Sequence, residues 1–153
     1  MAVRVQQAPF DPGAESNVFL AAAHGAGAAV TFTGLVRSEP GAPVAVLELE
    51  CYPELAVNQI ANMVAEAIAR FGLLDATVIH RYGRLAAGEP IVQVMALASH
   101  RQAAFEGAEF LMDYLKTDAP FWKKEISPGG ASHWVEAKPG DDAARARWKE
   151  GPT

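Results

Sequence analysis

Between Pro53 and Gly72 the chain carries one apolar stripe at helical spacing, punctuated at both ends, and this element limits the folds open to it. Ala56, Ile60, Met63, Val64, Ala67, Ile68 and Phe71 recur at the i, i+4, i+7, i+8 positions of a buried helix face. Asn58, Gln59, Asn62, Glu66 and Arg70 fall on the other side. Pro53 suits a first helical turn, Glu54 sits favourably in the helix dipole, and Gly72 suits a C-terminal cap. A helix this strongly one-sided must lie on a layer that covers it.

The flanking segments supply that layer. Ala28–Val36, Val44–Glu50, Ala76–Tyr82, Ile91–Ala98, Phe121–Ile126 and Ser132–Ala137 read as strands, separated by Gly and Pro turns. A short helix is expected around Glu15–Ala23. A second long helix should run from the Ser99-His100-Arg101-Gln102 box to about Lys116, with Phe105, Ala108, Met112 and Leu115 inward. Strands and helices do not alternate regularly, so the expected class is α+β with a largely antiparallel sheet. The chain has 153 residues, half of them hydrophobic, with no repeat or linker, which predicts one domain over residues 1–138. Residues 139–153 read as a polar, mobile tail.

Charge and cysteine usage narrow the function. A net charge of -5 argues against a general nucleic-acid binder, although it leaves room for a local basic pocket. Cys51 is the sole cysteine, so no intrachain disulfide and no thiol-rich zinc site is expected. With no signal-peptide or membrane-span pattern, the expected location is cytoplasmic. His24, His80, His100 and His133 lack metal-ligand spacing, and no phosphate-binding glycine loop is present.

Cations stand at three informative places. His100 and Arg101 open a helix, where the dipole disfavours them by roughly 0.3–1 kcal/mol. A bound anion would relieve that conflict, and a solvent-facing arginine would simply tolerate it; both readings stay open. Lys116 closes the same helix. Lys123 and Lys124 follow Phe121-Trp122, and in a strand they point to opposite faces, so one can enter a pocket while the other stays wet. Arg37 ends the Phe32-Thr33-Gly34-Leu35-Val36 strand, where Gly34 suggests a bulge or close backbone approach.

The segments VTFTGLVR (Val30–Arg37), LELECYP (Leu47–Pro53), VIHRYGRLAAGE (Val78–Glu89), ASHRQAAFEGAEFLMDYLKTDAPFWKKE (Ala98–Glu125) and HWVEAK (His133–Lys138) together resemble the large, catalytic subunit of molybdopterin synthases. The resemblance covers most of the chain in the expected order. It implies an α/β hammerhead-type domain and a sulfurtransferase of molybdenum cofactor biosynthesis. The implied substrate is cyclic pyranopterin monophosphate, and the sulfur donor is the C-terminal thiocarboxylate of a small ubiquitin-like partner subunit. A homodimer core within a heterotetramer is implied, with no cofactor, metal, nucleic acid or membrane. The implied site comprises Phe32, Leu35, Val36, Arg37, His100, Arg101, Met112, Lys116, Lys123, Lys124 and Glu125, with Lys116 and Lys123 catalytic. Lys123 is the preferred proton acceptor and Lys116 the charge stabiliser, because a helix C-terminus favours the charged amine. The alternative is a non-enzymatic module that binds a ubiquitin-like protein, for which this set of cations has no evident use.

Overall fold

The computed structural model describes residues 1–135 and 139–150. Four strands make the first sheet: β1 (Ala2–Gln6), β2 (Ala28–Leu35), β4 (Asp75–Arg81) and β6 (Pro90–Ala98), in the order β1-β4-β6-β2. β1 and β4 are parallel, and the other pairs are antiparallel. The central strands β4 and β6 are buried on both faces, which is why they read as continuous apolar runs instead of alternating ones.

Helices α2 (Pro53–Phe71) and α3 (Arg101–Thr117) cover one face of this sheet. Ile60, Val64, Ala67 and Leu111 are fully buried there against Val78, Val94 and Ala96. Each buried Ile, Val or Leu contributes roughly 1.5–3 kcal/mol. Gly72 caps α2 in the left-handed region at φ 66°, as its position in the sequence predicts. Helix α1 (Pro12–Ala21) closes the opposite face through Phe19, which packs with Ile79, Met95 and Leu97. Asp11 starts α1 by accepting hydrogen bonds from the Gly13 and Ala14 amides at 3.0 and 3.2 Å.

A second, fully antiparallel sheet has the order β5-β3-β7-β8, with β3 at Val46–Glu50, β5 at Gly83–Ala86, β7 at Trp122–Ile126 and β8 at Ser132–Val135. The architecture is therefore α+β with mostly antiparallel sheets, as expected. It differs from the sequence expectations in five details. Phe105, expected on the inner stripe of α3, is 59% exposed. β1 adds an edge strand that its short Val3/Val5 alternation hardly announced. Gly83, at φ 93°, opens β5 after a one-residue gap from β4 and sends the chain into the other sheet. The Ser99–Gln102 capping box does not form: pairing of β6 runs through Ala98, α3 starts at Arg101, and His100 is the N-cap without a side-chain bond. Ser99 is thus one residue too early to cap. Finally, the segment expected as a mobile tail holds helix α4 (Pro139–Ala146) and a 3-10 turn (Arg147–Glu150), with α4 packed on α3. Residues 136 to 138, the last part of the predicted final strand and its end, lie outside the described residues.

Candidate active site

The end of β2 is held from three directions. A register shift falls between Gly34 and Leu35, so the bulge anticipated for this glycine occurs, and the close neighbour is a side chain: a Cβ on Gly34 would stand 2.7 Å from Val92 Cγ1. Beyond the bulge, the Val36 amide donates to the Glu89 carbonyl at 2.9 Å, and the Gly88 amide donates to the Val36 carbonyl at 2.7 Å. Buried Arg81 braces this turn. Its Nη1 donates to Glu89 Oε2 at 2.8 Å, while Nε and Nη2 donate to the Gln7 carbonyl at 3.1 and 2.8 Å. Arg37 therefore leaves from a fixed strand end, with its side chain exposed and paired to Glu39.

Facing that strand end is a cavity of about 500 Å³, lined on the β2 side by Phe32, Thr33, Gly34, Leu35, Val36 and Arg37. Lys116 enters from the last turn of α3, and Lys123 and Glu125 enter from β7. Strand alternation acts on the dibasic pair as the sequence predicts. Lys123 faces the cavity, whereas Lys124 turns away and places its Nζ 5.6 Å from the Trp134 ring centre. Phe32 and Leu35 remain 42% and 58% exposed at the rim, leaving apolar surface beside the cations.

His80 forms part of the structure beneath the lysines, and nothing in its local sequence singles it out. It shares the face of β4 with Ala76 and Val78, is buried, and stacks on Phe121 with ring centres 4.0 Å apart and planes 16° apart. Burial pushes its pKa from 6.5 down to about 4; the positive charges of Lys123 and Lys116 push the same way, and a 2.8 Å contact from Nδ1 to the Arg81 carbonyl opposes them.

Four residues of the expected site do not line this cavity. Lys124 points to Trp134. Met112 lies one turn before Lys116 and packs on the main core. His100 and Arg101 are exposed at the opposite end of α3, and fifteen residues of helix at about 1.5 Å each put them about 22 Å from Lys116. Within one chain, then, Arg37, Lys116 and Lys123 converge and Arg101 does not. A larger cavity, about 670 Å³, lies between α2, α3 and the C-terminal segment. Arg145 on its wall is paired with Asp118, and neither Arg37 nor the lysines 116 and 123 reach it. Among the described residues no His, Cys, Asp and Glu cluster could hold a metal ion.

The profile of the MoaE protein family matches residues 5–118. The chain belongs to this family. Curated relatives named molybdopterin synthase catalytic subunit include one from Cereibacter sphaeroides, 55% identical over 97% of this chain and all of that protein. Another, from Pseudomonas aeruginosa, is 50% identical over 98% of this chain and all of that protein. A solved MoaE structure from Burkholderia ambifaria superposes with a TM-score of 0.81 at 45% identity, covering 97% of this chain and 99% of that one. Molybdopterin synthase from Staphylococcus aureus gives 0.77 at 28% identity, covering 86% and 95%. Family membership makes the chain an enzyme subunit of molybdenum cofactor biosynthesis, a molybdopterin synthase catalytic subunit. No helix among the described residues is long and apolar enough to cross a membrane.

Proposed function

We propose that the cavity between β2, α3 and β7 binds cyclic pyranopterin monophosphate and that sulfur is transferred to it there from the C-terminal thiocarboxylate of a small ubiquitin-like partner subunit. The observation that carries this reading is the meeting of Arg37, Lys116 and Lys123, from three separate elements, at one cavity with an apolar rim. An anionic substrate needs its phosphate neutralised by directed donors, and a guanidinium with two ammonium groups supplies them. A planar pterin needs apolar contact, which Phe32 and Leu35 offer. The partner's thiocarboxylate is itself anionic, so the same field favours its entry.

Lys116, at the C-terminal end of α3, stabilises negative charge as the thiocarboxylate sulfur bonds to a pterin side-chain carbon and displaces an oxygen substituent from it; water then cleaves the acyl–sulfur bond, Lys123, the less exposed lysine, accepting its proton, and the partner leaves as a carboxylate. Two such transfers make a dithiolene. Cys51 is not required, because the sulfur arrives on the partner.

His100 and Arg101 have a place in this reading only if they reach the cavity from a second copy of the chain, given their distance from Lys116. The homodimer implied by the family resemblance provides that second copy. Its helix start would then bring an arginine and free backbone amides to the phosphate.

The test is reconstitution of the purified chain with a thiocarboxylated small subunit and the pterin precursor, scored for dithiolene product. Product formation supports the reading. Partner binding without product would favour the docking-module alternative.

A further inference from the structure

We propose that His80 is a positioning residue for the lysine pair, presenting a neutral nitrogen lone pair that orients the ammonium group of Lys116 or Lys123 towards the cavity. The inference rests on the proposed site, and it follows from what fixes the ring. Nδ1 lies 2.8 Å from the Arg81 carbonyl, and because a carbonyl can only accept, Nδ1 carries the proton. Burial keeps the ring neutral, so Nε2, on its other edge, carries the lone pair. Stacking on Phe121 at 4.0 Å stops the ring from turning over. Phe121 also stands two residues before Lys123, so the stack couples the imidazole to the strand that carries the lysine.

Both lysines act electrostatically on the ring, Lys116 from α3 and Lys123 from β7; the other charged neighbour on β4, Arg81, sends its guanidinium to Gln7 and Glu89 instead. A protonated imidazole at this point would repel the ammonium groups and could accept no hydrogen bond from them. A neutral one leaves one oriented acceptor among several donors, and that geometry restricts where an otherwise flexible lysine places its charge.

Two measurements test the proposal. In protein labelled with ¹⁵N-histidine, His80 should stay neutral well below pH 6.5. Its Nδ1 should be the protonated nitrogen, and Lys116→Met or Lys123→Met should move its Nε2 resonance. The opposite tautomer, or an Nε2 resonance indifferent to both substitutions, overturns the proposal. This arm needs no turnover, so its outcome is separate from the fate of the sulfur-transfer reading.

In the reconstituted assay, His80→Phe keeps the stack and removes the acceptor together with the Nδ1–H donor to the Arg81 carbonyl. It should lower kcat about 10- to 100-fold, as expected for one lost hydrogen bond to a charged group, with KM for the pterin within about twofold. His80→Gln, whose amide can donate to Arg81 and accept from an ammonium, should recover most of that loss. Equal kcat in His80→Phe and the parent, with folding confirmed by circular dichroism, would leave the ring only a packing role and end the proposal; should His80→Phe fail to fold, the resonance measurement decides.

Discussion

Burial of His80 without its proton has a thermodynamic signature that can be worked out in advance. In the unfolded chain the imidazole titrates at 6.5, and in the folded protein at about 4. Because the folded value is the lower one, the unfolded state binds more protons in the interval between them, and stability falls as pH drops. The contribution is fully present above 6.5, declines between 6.5 and about 4, and levels off below that. At roughly 1.36 kcal/mol per pH unit, the full gap corresponds to about 3 kcal/mol, of which about 2 kcal/mol is already lost at pH 5. Other groups also titrate in this range, so the measurement is a difference. Urea unfolding of the parent and of His80→Gln, from pH 7.5 to pH 4, isolates the imidazole. The gap in unfolding free energy between them should shift by about 2 kcal/mol in favour of the variant between pH 7.5 and pH 5. Parallel curves over that range would show that His80 takes up a proton in the folded protein as readily as in the unfolded one, and would refute the burial argument.

Lys116→Ala and Lys123→Ala should each abolish dithiolene formation while leaving the thermal midpoint nearly unchanged; undiminished turnover in either removes that lysine from the mechanism. Mixing Arg101→Ala protein with Lys116→Ala protein, with subunit exchange allowed, should restore part of the activity that each lacks alone, because a mixed dimer carries one intact composite site; no recovery would exclude a contribution from the second copy. Gly27→Ala would drive a Cβ into the Ser99 carbonyl oxygen, where the chain entering β2 passes the start of α3, and should cost about 3 kcal/mol in urea unfolding. Trp148→Ala should cost about 2 kcal/mol, since that ring meets Phe71 and Phe110 edge-on at 5.5 and 5.6 Å and donates to Asp113 at 2.7 Å.

The parts of the fold that were legible in the sequence are those governed by local periodicity. The Ile60-Val64-Ala67 stripe, the Gly72 cap and the opposed directions of Lys123 and Lys124 each follow from a single element's geometry. Gly34 was equally readable, because a glycine among strand formers marks a bulge or a close backbone approach. What escaped depends on contacts between distant segments. β1 exists because its backbone pairs with β4, a contact two alternating valines cannot announce. Trp148 in the C-terminal segment finds its partners on α2 and α3, so a polar composition concealed a docked helix. His80 sat inside a buried run and looked like one more core position; its stack comes from Phe121 and its electrostatics from Lys116 and Lys123. The helix-start cations His100 and Arg101 matched the family site, but a match along the sequence carries no distance. The structure places them at the far end of α3.

Whether Arg37, Lys116 and Lys123 form one receptor for a phosphorylated pterin is tested most directly by a crystal structure with cyclic pyranopterin monophosphate bound. The phosphate and ring should lie in the cavity between β2, α3 and β7, contacting these three side chains and Phe32. Density for the substrate elsewhere, for instance in the cavity walled by Phe110, Tyr114 and Trp148, would contradict it.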